Sequence, residues 1–144
     1  MKKLLFILLA VIGLTSCGNN QNANAQTSTK ATQKDVIEVI YFHGKQRCIT
    51  CNAIEKLTKE VVEKDFAQQL KDGKITFKIV DISTKEGEKI ADKYEVTWSS
   101  LYINKWKDGK EAKNNMTDFG FSYAKNSPDV FKAGVKKKID ELLK

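Results

Sequence analysis

Cys48 and Cys51 are separated by two residues and fall where a predicted β-strand gives way to a predicted helix. A thiol pair with this spacing can form a disulfide and exchange it with other thiols, or it can bind a soft metal ion. Backbone N–H groups at a helix N-terminus carry partial positive charge, and this favours a thiolate there. The spacing alone leaves both chemistries open.

Cys17, the third cysteine, is predicted to have a separate role. It follows a basic Met1-Lys2-Lys3 start, an apolar stretch at residues 4–13 that is short for a membrane span, and Leu14-Thr15-Ser16. This pattern resembles a bacterial lipoprotein signal peptide. The resemblance implies that residues 1–16 are removed and that Cys17 becomes the lipidated first residue of the mature chain. The alternative is an ordinary signal peptide or an uncleaved anchor, in which Cys17 has no role.

Export would place the Cys48–Cys51 pair on the periplasmic side of a membrane, where a disulfide can persist. One pair does not make a disulfide-stapled scaffold, so the pair is expected to serve chemistry. Residues 17–33 are polar and without periodicity, which predicts a disordered tether. Residues 34–144 have the size of a single domain.

The charge balance gives weaker information about partners. The net charge of +7 comes almost wholly from lysine. Lysines spread over helix faces predict a solvated surface, and nucleic acid is an unsuitable partner for an exported lipoprotein. We expect a monomer that is held at the membrane by its lipid anchor.

Hydrophobic periodicity predicts the elements that position the cysteines. Strands are predicted at residues 35–42, 75–82, 101–106 and about 111–117. A long helix is predicted from Cys48 to about Leu70, a short one after a capping box at Ser83 and Glu86, and a last one that opens at Ser127. Right-handed crossovers would make the first and third strands parallel to their neighbours.

In this order, βαβαββα, the chain resembles the thioredoxin-like superfamily. Its CxxC lies at the first strand-to-helix junction, and Val80-Asp81 matches an acidic residue that ends the next strand. Tyr94-Glu95-Val96 matches a tyrosine-glycine-valine stretch before the third strand, and Asp108-Gly109-Lys110 matches the hairpin turn. The resemblance implies an α/β fold with a central mixed sheet of about four strands flanked by helices.

The resemblance also implies roles for the cysteines. Cys48 would be the exposed nucleophile and Cys51 the resolving partner, with the disulfide as the redox group and no other cofactor. The partners would be protein thiols and disulfides, and a membrane-bound or periplasmic thiol would donate electrons.

The sequence offers further candidate residues for the site. Arg47 and His43, the only arginine and histidine, are candidates to lower the pKa of Cys48 and to relay a proton. The alternative is that both are polar loop residues. Trp98, Ser99 and Ser100 are candidates to line the site.

Two departures from the family pattern affect the choice of chemistry. Ser100 stands where the family places a cis-proline, a residue that orients the partner and keeps metals from the sulfurs. The strand before the motif lacks a buried acid, and Ile40-Tyr41-Phe42 occupies that stretch. The sequence therefore predicts a thiol-disulfide oxidoreductase. The alternative is soft-metal (copper-type) binding or delivery through Cys48 and Cys51 on the same fold.

Overall fold

The protein folds around one mixed sheet that has helices on both faces. The computed structural model describes residues 35–144, so the predicted signal peptide, Cys17 and the tether lie outside the described residues. The strands, in the sheet order β2-β1-β3-β4, are β1 (Val36–His43), β2 (Ile75–Asp81), β3 (Ser100–Lys107) and β4 (Lys110–Ala112). The helices are α1 (Ile49–Asp65), α2 (Ala67–Lys71), α3 (Lys85–Asp92), α4 (Thr117–Tyr123) and α5 (Pro128–Leu142). This confirms the predicted α/β, thioredoxin-like fold.

The central strand β1 divides the core into two halves. Alternate side chains of a strand point to opposite faces, so Ile37, Val39 and Tyr41 lie on one face and Ile40 and Phe42 on the other. The first face packs against apolar residues of α1 and α5, which include Ile54, Val61, Phe131, Val135 and Ile139. The second face packs against Val80, Ala91, Val96 and Tyr102.

The direction of β3 differs from the expectation. β2 is parallel to β1, as predicted, but β3 is antiparallel to it, with Phe42 opposite Ser100. The chain between Asp81 and Ser100 contains only the eight-residue α3, which is about 12 Å long. This segment does not return to the start of the sheet, so β3 begins at the end where β1 and β2 finish.

Several element boundaries also differ from the predictions. The first helix stops at Asp65, because Phe66 leaves helical geometry (φ −126°), and α2 follows as a separate turn. Thr84, and not Ser83, caps α3: its Oγ1 accepts a hydrogen bond from Gly87 N at 3.0 Å, while Ser83 is bonded to Asp81. The Asp108-Gly109 hairpin turn is present, and both residues have positive φ, as such turns require.

Helix α4 is an element that the sequence patterns do not predict. It is rich in aromatic residues and begins at Thr117, inside the range expected for the fourth strand, which ends at Ala112 instead. Tertiary packing selects the helix here, because Phe119 packs against Phe131 and against the backbone at Gly134, and Gly120 lies against Ile54. Among residues 35–144, no helix is both long and apolar enough to cross a membrane.

Candidate functional site

Cys48 and Cys51 form a disulfide at the first turn of α1, with their Cα atoms 5.0 Å apart. Cys48 is the N-cap residue, and its Sγ accepts a hydrogen bond from Cys51 N at 3.0 Å. No acidic residue lies in the first turn of α1 to offset the positive end of the helix dipole. The backbone therefore already supplies a hydrogen bond and a positive field to a sulfur at position 48.

The two sulfurs differ in accessibility. Cys48 is exposed to solvent, whereas Cys51 is only 7% exposed and belongs to the apolar core. In thiol exchange the attacking thiol must reach the partner, and the resolving thiol needs only to reach the first sulfur. This asymmetry fits Cys48 as the attacking sulfur and Cys51 as the resolving one.

Tyr41 lies beneath the disulfide, near the end of β1. Its hydroxyl donates a hydrogen bond to the Cys51 carbonyl oxygen at 2.7 Å, and its side chain is fully buried. Burial raises the pKa of the Tyr41 phenol, although hydrogen bonds to Ser99 and Arg47 act in the opposite direction. Tyr41 thus provides a neutral hydrogen-bond donor next to the buried cysteine.

Arg47 directly precedes Cys48 in the chain and is held by contacts with α1 and β1. Its guanidinium forms an ion pair with the Glu55 carboxylate and lies 5.9 Å from the centroid of the Tyr41 ring. Glu55 is on α1, four residues after Cys51, and is not among the predicted site residues. No pattern in the sequence links residues 47 and 55, because the contact depends on how the loop folds back over the helix.

His43 lies at the end of β1 and does not line the groove beside the cysteines. Its Nδ1 is 3.0 Å from the Gly44 carbonyl oxygen, which can only accept a hydrogen bond, so this nitrogen carries the hydrogen. Asp81 faces it across the β1–β2 pair. Two hydrogen bonds from Ser83 lower the pKa of the Asp81 carboxyl, with smaller contributions from the His43 and Arg47 charges.

An open groove of about 710 Å³ runs beside the disulfide. The structure brings Arg47, Trp98 and Ser99 to this groove, together with both cysteines. Trp98 is 58% exposed and stacks on Phe121 of α4, with ring centroids 5.2 Å apart. The groove is therefore lined partly by an aromatic shelf from an element that the sequence patterns do not predict.

Ser100 occupies the first position of β3 and is buried, and it does not line the groove. Its Oγ donates to the Trp98 carbonyl oxygen at 3.2 Å. No peptide bond among residues 35–144 is cis. The neighbouring Ser99 lines the groove together with the cysteines.

The remaining features bear on ligands. Within the described part of the chain, no three His, Cys, Asp or Glu side chains cluster in a way that could hold a metal ion. A soft metal at this site would therefore depend on the two cysteine sulfurs.

A larger cavity, of about 810 Å³, lies at the opposite end of the sheet near Val36 and Leu143, and no cysteine lines it.

Comparison with known proteins finds similarity in solved structures only. No protein-family model matches the sequence, and no curated protein matches it. A malarial protein is 19% identical, over 72% of this chain and 96% of its own, with a TM-score of 0.44. A thioredoxin from Thermus thermophilus is 17% identical, over 68% of this chain and 72% of its own, with a TM-score of 0.42. The thioredoxin-like arrangement is carried by the chain's own strand order and by the CxxC at the start of α1.

Proposed function

We propose that the protein is a thiol-disulfide oxidoreductase that exchanges disulfides with exported proteins through Cys48 and Cys51. The observation that carries the proposal is the disulfide across the start of α1, with one exposed and one buried sulfur. The helix N-terminus and the Cys51 N–H stabilise a thiolate at Cys48, which is the reactive form in exchange. The open groove gives a partner's cysteine access to that sulfur.

The exchange follows from this geometry. In the reducing direction, the Cys48 thiolate attacks a disulfide of the partner, forms a mixed disulfide and releases one partner thiolate. Cys51 then loses its proton and attacks the Cys48 sulfur, which releases the second partner thiolate. The Cys48–Cys51 disulfide that results needs two electrons from a thiol donor before the next cycle. In the oxidising direction the same steps run in reverse.

A redox titration tests the proposed function. We expect the pair to show one two-electron transition in glutathione buffers, and we expect Cys48→Ser to abolish reduction of insulin or of a model peptide disulfide. Cys51→Ser should accumulate a mixed disulfide with the substrate, because the resolving step is lost. Cys17→Ser is the control: it keeps both site cysteines, so the purified protein should retain the exchange activity.

Metal content measured on the same sample separates this function from the metal alternative. Failure of the pair to cycle at any accessible potential would contradict the redox proposal. So would purified protein that carries stoichiometric copper or zinc with both thiols blocked. Thiolates are good ligands for such ions, so the measurement is a direct comparison of the two chemistries.

We also propose that the protein is an exported lipoprotein, attached to a membrane through Cys17 on the periplasmic side. The basic start, the short apolar stretch and Leu14-Thr15-Ser16-Cys17 support this. The full chain is expected in the membrane fraction of cells, and Cys17→Ser is expected to leave it. Membrane association that is unchanged in Cys17→Ser would mean that another segment anchors the chain.

A further inference from the structure

The Arg47–Glu55 ion pair links the two ends of the CxxC motif. Arg47 precedes Cys48, and Glu55 lies one helical turn beyond Cys51 on α1. Their side chains are only 26% and 22% exposed, so solvent and salt screen the pair less than they screen a surface pair. The two charges therefore act on the cysteines from a partly buried position.

The contacts of Arg47 hold its charge close to the disulfide. Its guanidinium lies over the Tyr41 ring, and Tyr41 in turn donates to the Cys51 carbonyl oxygen. Arg47 and Cys48 line the same groove. Within residues 35–144, the buried Nε of Arg47 has no hydrogen-bond partner, although an arginine N–H in such a position normally has one. In the ion pair with Glu55, the Nε–H group of Arg47 is therefore left without a hydrogen-bond partner among the described residues.

The other ionisable groups near the pair do not replace Glu55. Lys45 is an exposed residue of the same loop, and His43 lies at the end of β1 outside the groove. Asp81, at the end of β2, is bonded to Ser83. Tyr41 carries no charge at neutral pH, since the ordinary tyrosine pKa is about 10 and burial raises the pKa of this phenol further. Glu55 is the carboxylate that is paired directly with the cation next to Cys48.

We propose that Glu55 acts through Arg47, whose charge it partly neutralises, and thereby sets how strongly the Cys48–Cys51 pair favours its reduced, thiolate form. The proposal rests on the proposed exchange function. When a partner dithiol reduces the protein, the dithiol gives two electrons and becomes a disulfide, and the Cys48–Cys51 bond breaks. One proton stays on Cys51 and the other goes to solvent, which leaves Cys48 as the thiolate. Arg47 stabilises this negative charge, and Glu55 opposes it.

Replacing Glu55 and replacing Arg47 are therefore expected to shift the pKa of Cys48 and the reduction equilibrium in opposite directions. Glu55→Gln removes the opposing charge, so the pH profile of Cys48 alkylation in the reduced protein should move down by about one unit. The reduction equilibrium should shift about tenfold toward the dithiol, which is about 30 mV more positive. Arg47→Gln should move both quantities the other way, and the double variant should return close to the wild type.

A matched control lies on the same helix. Lys59 and Glu63 form an exposed pair 3.8 Å apart, with both side chains 52% exposed, so Glu63→Gln removes the same charge from α1 in a solvated setting. We expect Glu63→Gln to leave the alkylation profile and the potential unchanged. Conservative replacement by Glu55→Asp should preserve most of the wild-type behaviour, because it keeps the charge.

Two outcomes would overturn the proposal. One is that Glu55→Gln and Arg47→Gln shift the profile no more than Glu63→Gln does, even if they lower the melting temperature, because the ion pair would then be purely structural. The other is that both variants shift it in the same direction, which would indicate local unfolding. The alkylation profile needs only free thiols, so a wild-type pair that fails to cycle would instead contradict the proposed function.

Discussion

Single side chains decide the chemistry beneath the disulfide. Tyr41 is fully buried and donates to the carbonyl of Cys51, so it supports the start of α1 without adding a charge. A buried carboxyl at such a place would change its protonation near neutral pH, whereas a phenol stays protonated until well above it. We therefore expect Tyr41 to keep the same protonation state across neutral pH.

Tyr41→Phe should lower the free energy of unfolding by about 1 kcal/mol at neutral pH, because it removes one buried hydrogen bond and leaves the ring in place. Urea denaturation of the oxidised protein measures the difference. Tyr123→Phe is the control, since Tyr123 is 39% exposed, and it should change the value by less than about 0.5 kcal/mol. Equal stability of the two variants would mean that the Tyr41 hydroxyl contributes nothing.

Alkaline pH should reduce the advantage that Tyr41 has over phenylalanine. Burial raises the pKa of its phenol in the folded state, so the folded protein holds this proton more tightly than the unfolded chain does. The stabilising contribution is complete below about pH 10, the ordinary tyrosine value, and is lost as the pH rises toward the folded-state pKa. Urea midpoints of the wild type and Tyr41→Phe, compared across this range, should converge. A gap that widens with pH would contradict the assignment.

The sequence predicts the site at residue level only in part. The groove is lined by Arg47, Trp98 and Ser99 because these residues lie near the end of β1 and the start of β3, which meet at the same end of the sheet. The sequence patterns do not predict the roles of Glu55 and Phe121. Glu55 contacts Arg47 and Phe121 contacts Trp98, and both contacts depend on tertiary packing. Local periodicity carries no information about such pairs.

At the scale of elements, close backbone packing fixes the short helix α3 against the end of β2. Gly87 lies in the first turn of α3, where its N–H donates to Thr84 Oγ1. A Cβ atom at this position would overlap the backbone carbonyl of Asp81. This contact holds the segment that leads to Trp98 and Ser99, so the glycine also affects the position of the groove.

Gly87→Ala should lower the free energy of unfolding by about 3 kcal/mol, because the backbone of β2 or α3 must move to admit the methyl group. Helix propensity alone predicts the opposite sign, a gain of about 1 kcal/mol. Thermal denaturation distinguishes the two. Gly44→Ala is the matched control, because the space that a Cβ atom would occupy at residue 44 is open. A stabilised Gly87→Ala would show that the helix can shift without strain.

The elements themselves are predicted with uneven success. β1 and the cysteine junction follow from a continuous β-branched and aromatic run next to a helical pattern, so their prediction is correct. The sequence patterns do not predict helix α4, because it depends on packing around Gly134. They also do not predict the direction of β3, because it depends on the length of the connection after β2. Glu95 has a positive φ of 54°, a conformation that glycine adopts readily and that the sequence analysis does not predict at this residue.

At the scale of the whole molecule, residues 35–144 form a core on both faces of the sheet. The two apolar clusters are formed by residues between Ile37 and Leu142, on opposite faces of one sheet. The domain boundary at residue 34 stays a prediction, which a comparison of fragments can test.

If the predicted boundary is correct, a fragment of residues 34–144 should melt within about 2 °C of a chain of residues 17–144, a difference below about 1 kcal/mol. Differential scanning calorimetry of the oxidised proteins measures it. A fragment of residues 40–144 is the comparison, because it lacks half of the central strand and should not fold. A large loss of stability in the 34–144 fragment would show that earlier residues pack on the domain.

The direction of β1 determines which way the disulfide faces. The chain enters the domain at Asp35, and the eight residues of β1 then carry it to the cysteine loop, a distance of about 26 Å. A tether before Asp35 would therefore join the domain at the end of β1 opposite the cysteine loop. With the proposed attachment through Cys17, a partner would approach the exposed Cys48 from the side away from the anchor, and the membrane would not obstruct it.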